Sequence, residues 1–167
     1  MKRPSCTWHG PAPGIIKVNC DGAVRIEQGF AAGGGVARDV EGFRGAWCRV
    51  YQGVVDPLTI EALAFRDAVR FAKQRSFLKV MVESDCEDLV RLWKERKTQR
   101  SRIAPILSEV SEVASSFEFF VFSFAGRSAN LVAHECAQYA CNNLVDVEWL
   151  DRPGFLSHSL QADCTLT

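Results

Sequence analysis

Apolar and polar residues alternate at the start of the chain, and the period lengthens to that of a helix after residue 56. Ile15-Ile16-Lys17-Val18-Asn19-Cys20 reads as a strand that ends at the turn Asp21-Gly22-Ala23. Gly33-Gly34-Gly35-Val36-Ala37-Arg38-Asp39 predicts a second strand, Glu41-Gly42 a turn, and Phe43 to Gly53 a third strand. Strands joined this closely form an antiparallel meander. Asp56-Pro57 then opens a helix to about Arg75, with Asp as the cap and Pro in the first helical position. Lys79 to Glu83 is a short β-branched strand, and Ser84-Asp85-Cys86-Glu87 has the spacing of a capping box that opens a helix to about Arg96. A helix near Ile103–Ser115 and a phenylalanine-rich strand from Phe117 to Phe124 follow, and a last helix, capped by Ser128, runs to about Asn143.

The order β-β-β-α-β-α-α-β-α predicts an α/β fold. Its mixed sheet has five strands, three antiparallel and then two parallel, flanked by helices. Residues 1–13, with three prolines, Trp8 and no acid, read as an extended arm that packs back through Trp8. Residues 14–145 form the domain, and 146–167 an acidic, irregular tail on or behind it.

Composition adds exclusions. The 167 residues suit one domain with a sizeable core, and 47% hydrophobic with 24% charged residues argues against a disordered chain. No apolar run approaches the length of a membrane span, and the N-terminus lacks the apolar stretch of a signal peptide. Seven scattered cysteines read as reduced thiols of a nuclear or cytoplasmic protein. Cys6-x-x-His9 has no second pair to complete a zinc site. Twenty basic and twenty acidic side chains cancel, which excludes a wholly basic coat protein.

Three acids stand in unexpected places. On a helical wheel Glu61 falls amid Ala64, Phe65, Ala68 and Ala72, the apolar face, while Arg66, Arg70 and Lys73 lie opposite. A carboxylate there needs a positive partner, either a buried Arg or Lys or a metal ion. Asp21 ends the first strand, where a turn residue is the simpler reading. Asp85 follows the fourth strand, where helix-dipole stabilisation is the simpler one. Taken together, two acids at carboxyl ends of strands and one on the crossing helix suit hard divalent cations, held by oxygen. Two such ions about 4 Å apart can drive in-line displacement at phosphorus.

These segments resemble the plant reverse-transcriptase-like ribonuclease H domain. The resemblance runs from Trp8…Pro13-Gly14-Ile15-Ile16-Lys17-Val18-Asn19-Cys20-Asp21-Gly22-Ala23 through Gly33–Asp39, Ile60-Glu61-Ala62-Leu63-Ala64 and Glu83-Ser84-Asp85-Cys86. It continues in Arg127-Ser128-Ala129-Asn130-Leu131-Val132-Ala133-His134 and in Trp149…Pro153-Gly154-Phe155-Leu156 with Asp163-Cys164. It covers nearly the whole chain in order, and it implies the ribonuclease H-like fold and descent from a retroelement. The implied activity is two-metal hydrolysis of the RNA strand of RNA–DNA hybrids, with two Mg²⁺ or Mn²⁺ ions. By that resemblance Asp21, Glu61, Asp85 and His134 are the catalytic and metal-binding residues. Many ribonucleases H have aspartate in place of His134, although many plant relatives share the histidine. Many relatives also carry a histidine where this chain has Phe124. Those two departures motivate the alternative, a non-catalytic module of the same fold that binds nucleic acid or protein.

Charge then places the hybrid. Residues 91–102 hold six basic side chains against Glu95, a local +5, with Trp93 among them. A solvated helix end explains such a run; a ridge that tracks phosphates explains it too. The expected contacts are Trp93, Lys94, Arg96, Lys97, Arg100 and Arg102, with Gly22, Ala23, Arg127 and Asn130 from the site. Lys2, Arg3 and Lys17 add to them, and Gly33–Gly35 let the backbone approach the RNA. A monomer with no membrane association is expected, acting alone or within a larger host polypeptide.

Overall fold

In the computed structural model, which describes residues 7–164, the meander forms as expected, except that its first strand runs on through Asp21-Gly22-Ala23, where a turn was expected, because those residues pair with Ala32–Gly34. Strands β1 (Ile16–Arg25), β2 (Phe30–Asp39) and β3 (Gly42–Gln52) pair antiparallel. Strands β4 (Lys79–Ser84) and β5 (Phe119–Phe124) add in parallel on the far side of β1. Helices α1 (Pro57–Gln74), α2 (Glu87–Lys94) and α3 (Ala104–Ala114) lie between those strands, and α4 (Leu131–Asn143) follows β5. Lys2, Arg3 and Cys6, read above as part of the arm, lie outside the described residues.

The sheet has six strands rather than five, in the order β5-β4-β1-β2-β3 followed by a strand at Val147–Trp149. The sixth, β6 (Val147–Trp149), comes from the segment expected to be an irregular tail, and it pairs with the edge of β3. Helix α5 (Ser157–Cys164) follows it. Leu156 and Leu160 join Val36, Ala46, Val132 and Cys136 in one buried cluster. That burial of apolar surface is what orders a segment whose charge suggested a solvated end.

Helix α1 begins as its sequence dictates. The Asp56 side chain accepts a hydrogen bond from the Thr59 N–H at 2.9 Å, and Pro57 occupies the first turn. Its apolar stripe packs on the sheet, where Phe65 stacks on Phe122 at 3.8 Å between ring centroids and meets Trp93 edge-on at 5.2 Å. The capping box expected at 84–87 does not form. Cys86 is the cap of α2 and makes no side-chain cap bond, while the Ser84 hydroxyl accepts from the Cys86 N–H at 3.2 Å. Ser128 does not cap α4 either, because a 3-10 turn over Arg127–Asn130 precedes it.

The glycine run of β2 serves packing inside the protein rather than approach to a ligand. A Cβ on Gly34 would stand 2.2 Å from the Ala137 amide nitrogen, so α4 lies directly on the strand backbone. One on Gly33 would stand 2.4 Å from the Tyr51 hydroxyl, and one on Gly35 2.6 Å from Trp47 Nε1. The sheet thus has α1, α2 and α3 on one face, and α4 with α5 on the other. Among the described residues no helix is long and apolar enough to cross a membrane. Cys20, Cys48, Cys86, Cys136, Cys141 and Cys164 are free thiols.

Candidate active site

Parallel pairing of β1 and β4 sets the first two acids level. The register joins Val18 to Val82 and Asn19 to Glu83, and two more residues along each chain bring Asp21 and Asp85 side by side. Helix α1 crosses the same end of the sheet and delivers Glu61 from its apolar stripe. Gly22 makes the room: a Cβ there would lie 2.7 Å from Ile60 and 3.2 Å from Glu61 Oε1. Ligand atoms of Asp21, Glu61 and Asp85 all fall within 4.8 Å of one another.

No Arg or Lys neutralises Glu61 among the described residues, and its buried Oε2 has no hydrogen-bond partner. A buried, unpartnered carboxylate oxygen facing two further carboxylates is what an oxygen-coordinated divalent cation fits. The electrostatics agree. Burial, reinforced by the charges of Asp21 and Asp85, pushes Glu61 up to about 9 against the Gly22 N–H that favours its ionised form. Burial and the charge of Asp85 push Asp21 up to about 6, opposed by the hydrogen bond and charge of His134 and by the Gly22 N–H.

His134 contacts Asp21 directly, Nδ1 to Oδ2 at 2.8 Å, and its side chain is half exposed. With one ring nitrogen committed to Asp21, the other is left for a ligand or for solvent. Arg127 stands 3.8 Å from Asp85 and is almost fully exposed. These groups line a cleft of about 780 Å³, with Leu58, Cys86, Asp56 and Arg102 along its walls.

The basic run divides once its surroundings are known. Lys94, Lys97 and Arg100 are exposed and have no ion-pair partner among the described residues. Arg91 is held by Asp88 and Glu95, and Arg102 makes a two-pronged pair with Asp56 at 2.6 and 2.7 Å. Trp93 does not face a ligand, because the apolar side of α2 carries it into the core beside Phe65 and Phe120. Arg96 stacks on that ring at 4.0 Å and donates to the Trp93 carbonyl, which leaves it partly buried and turned inward.

Three more expected contacts face inward. Ala23 is buried against α4. Lys17 is buried, donates to the His9 carbonyl at 2.7 Å and pairs with Glu83 at 2.8 Å. Asn130 is 1% exposed; its Nδ2 donates to the Cys20 carbonyl at 2.9 Å and its Oδ1 accepts from Asn19 at 3.2 Å. Phe124, by contrast, is exposed at the end of β5. Sequence reading assigned Asp56 a capping role only and gave Cys86 none. Their places on the cleft follow from the crossing of α1 and from the start of α2, which spacing alone does not reveal.

Known proteins resemble the chain in both sequence and fold. The sequence profile of a family described as reverse transcriptase-like matches residues 19–140. An Arabidopsis thaliana protein provisionally named a ribonuclease H protein is 34% identical over 90 residues, which are 52% of this chain and 14% of that protein. The chain therefore matches only a small part of that relative's length. Among solved structures, RNase H1 of the halophilic archaeon Halobacterium salinarum superposes with a TM-score of 0.70 at 18% identity, over 77% of this chain and 98% of its own. LC11-RNase H1 in complex with RNA/DNA hybrid superposes with a TM-score of 0.68 at 20% identity, over the same shares. At such identities the two structures establish the fold.

Proposed function

The chain belongs to the reverse transcriptase-like family and has the ribonuclease H fold, and from that premise we propose that it is a metal-dependent endonuclease cleaving the RNA strand of RNA–DNA hybrids. The observation that carries the reading is the meeting of Asp21, Glu61 and Asp85 within 4.8 Å around an unpartnered carboxylate oxygen. Those three side chains would hold two divalent ions, Mg²⁺ or Mn²⁺. When bound, the ions supply charge stabilisation at phosphorus and a more acidic water.

The protein's own groups account for the rest. Asp21, central among the acids, is oriented by His134, so its carboxylate keeps one geometry. Gly22 offers its N–H to both Asp21 and Glu61 and so favours their ionised forms. Arg127 stands exposed at the cleft, where a phosphate beside the scissile bond would meet its guanidinium. Lys94, Lys97 and Arg100 extend that positive surface along the strand.

The test is a hybrid oligonucleotide incubated with folded protein and either Mg²⁺ or Mn²⁺. The expected result is cleavage of the RNA strand to 3′-hydroxyl and 5′-phosphate ends, with duplex DNA left intact. Absence of cleavage with both metals would sink the enzymatic reading, and hybrid retention without turnover would select the binding-module alternative.

Phosphate tracking has its own consequence. Replacing Lys97 by Ala should weaken hybrid binding without regard to sequence. The slope of log affinity against log salt should become shallower by about one for each phosphate no longer neutralised. A titration of hybrid affinity over a salt series checks this, and an unchanged slope in the Lys94, Lys97 and Arg100 triple Ala variant refutes the ridge.

A further inference from the structure

Asn19 is a polar side chain in the middle of β1, at 0% exposure, between the equally buried Val18 and Cys20. Buried amides stay in folded proteins when their donors and acceptors are met, and here both ends are used twice. Its Oδ1 accepts from Trp8 Nε1 at 3.0 Å and from Arg38 at 3.3 Å. Its Nδ2 donates to Glu83 at 3.0 Å and to Asn130 Oδ1 at 3.2 Å. One buried residue thus joins the N-terminal arm, β2, β4 and the turn that leads into α4.

The bond to Asn130 reaches the acids. Asn130 donates to the carbonyl of Cys20, the residue before Asp21. One helical turn further, His134 holds the Asp21 carboxylate. Asn130 and His134 lie four residues apart on one face of the segment, so their two bonds to successive β1 residues fix where the start of α4 sits on that strand. Asn19 in turn fixes the amide plane of Asn130. Trp8, which lies outside the matched range 19–140, closes the chain of bonds from the arm and stacks on Arg38 at 3.9 Å.

We propose that Asn19 is a positioning residue which, through Asn130, holds the start of α4 in register with Cys20 and Asp21 of β1, so that the N-terminal arm sets the geometry of the Asp21–His134 pair. This rests on the two-metal reading of that site. A displacement of about 1 Å at reacting groups is enough to lower turnover strongly, and loss of such supporting bonds typically weakens metal affinity or activity by about 10- to 100-fold.

The experiment compares the unaltered chain with Asn19→Ala and Trp8→Phe, each first shown to be folded by circular dichroism. Hybrid cleavage and Mn²⁺ binding by calorimetry are then measured. Asn19→Ala is expected to lower kcat and Mn²⁺ affinity by about tenfold each, with KM for hybrid within about twofold of wild type. Trp8→Phe keeps an aromatic ring at this position but removes the indole N–H together with the pyrrole half of the ring, and it should move both quantities in the same direction by about threefold. Unchanged kcat and Mn²⁺ affinity in folded variants overturn the proposal, as does a change confined to KM, which would mark direct contact with the hybrid. If Asn19→Ala fails to fold, Trp8→Phe decides by the same criteria. Should wild-type protein bind Mn²⁺ without cleaving hybrid, the enzymatic reading fails alone, and the Mn²⁺ affinities still judge the positioning role.

Discussion

Replacing Asp21 by Asn should lower Mg²⁺-dependent hybrid cleavage by about 10³-fold, equivalent to about 4 kcal/mol of lost transition-state stabilisation. Asp21 lies level with Asp85 just beyond the parallel β1–β4 pairing, faces Glu61 across Gly22 and, among the described residues, is the acid that His134 touches. Asn has the same shape, so the fold and the packing beneath it persist. What disappears is one negative charge and a ligand oxygen at the centre of the cluster. The loss should therefore fall on kcat, while KM for hybrid stays near the wild-type value because the exposed cations are untouched. Steady-state kinetics with saturating Mg²⁺ check this. Retention of a tenth of wild-type kcat would show that the reaction does not run through Asp21.

The second expectation has the opposite sign for stability. Replacing Glu61 by Gln should raise the melting temperature of the metal-free protein near pH 8 by about 5 °C, while it removes cleavage. Glu61 is raised from an ordinary value of 4.5 to about 9 in the folded chain. Between those limits the folded protein holds a proton that the unfolded chain has released. Stability from this group is thus fully present below about pH 4.5 and is lost as pH rises toward 9. Crowded carboxylates cost the metal-free fold on the order of a few kcal/mol at the alkaline end, and about 1 kcal/mol moves the melting temperature by roughly 2–4 °C in a chain of this size. Gln has no such titration, so the two melting curves should agree near pH 5 and separate above it. Mg²⁺ should recover the difference for wild type and leave Glu61→Gln unmoved, since a ligand stabilises only the state that binds it. Melting in chelator and in Mg²⁺ at both pH values is the measurement, and coincident wild-type and variant curves at pH 8 would count against the crowded site.

How much of this was legible in the sequence depends on the residue. Glu61 stood out because a carboxylate on an apolar helical stripe has few physical explanations, and Asp21 and Asp85 because both were expected to follow strands; Asp85 does follow β4, whereas Asp21 lies within β1, which continues to Arg25. The fold came from periodicity that changes cleanly from two to 3.6. Trp93 misled because its sequence neighbours are basic, although it lies four residues after Leu89 and shares that residue's buried face. The separate fates of Lys97 and Arg102 could not be read, because the partner of Arg102 is Asp56, 46 residues away in the chain. Asn19 carried no separate signal in the sequence; its interior place depends on the arm and on the turn before α4, which meet it through Trp8 and Asn130. Strand β6 escaped because three residues are too few to show a period.

The pairing of Arg38 with Asp163 at 2.6 Å joins residues 125 apart in sequence. Arg38 is 3% exposed, and burial lowers its basicity, opposed in part by Asp163. During synthesis on the ribosome, the meander that contains Arg38 emerges long before α5 does. Until α5 clears the exit tunnel, that guanidinium lacks its counter-charge, and until β6 does, the β3 edge lacks its partner strand. The segment translated after α4 therefore completes the domain's interior, giving Arg38 its counter-charge and β3 its partner strand last.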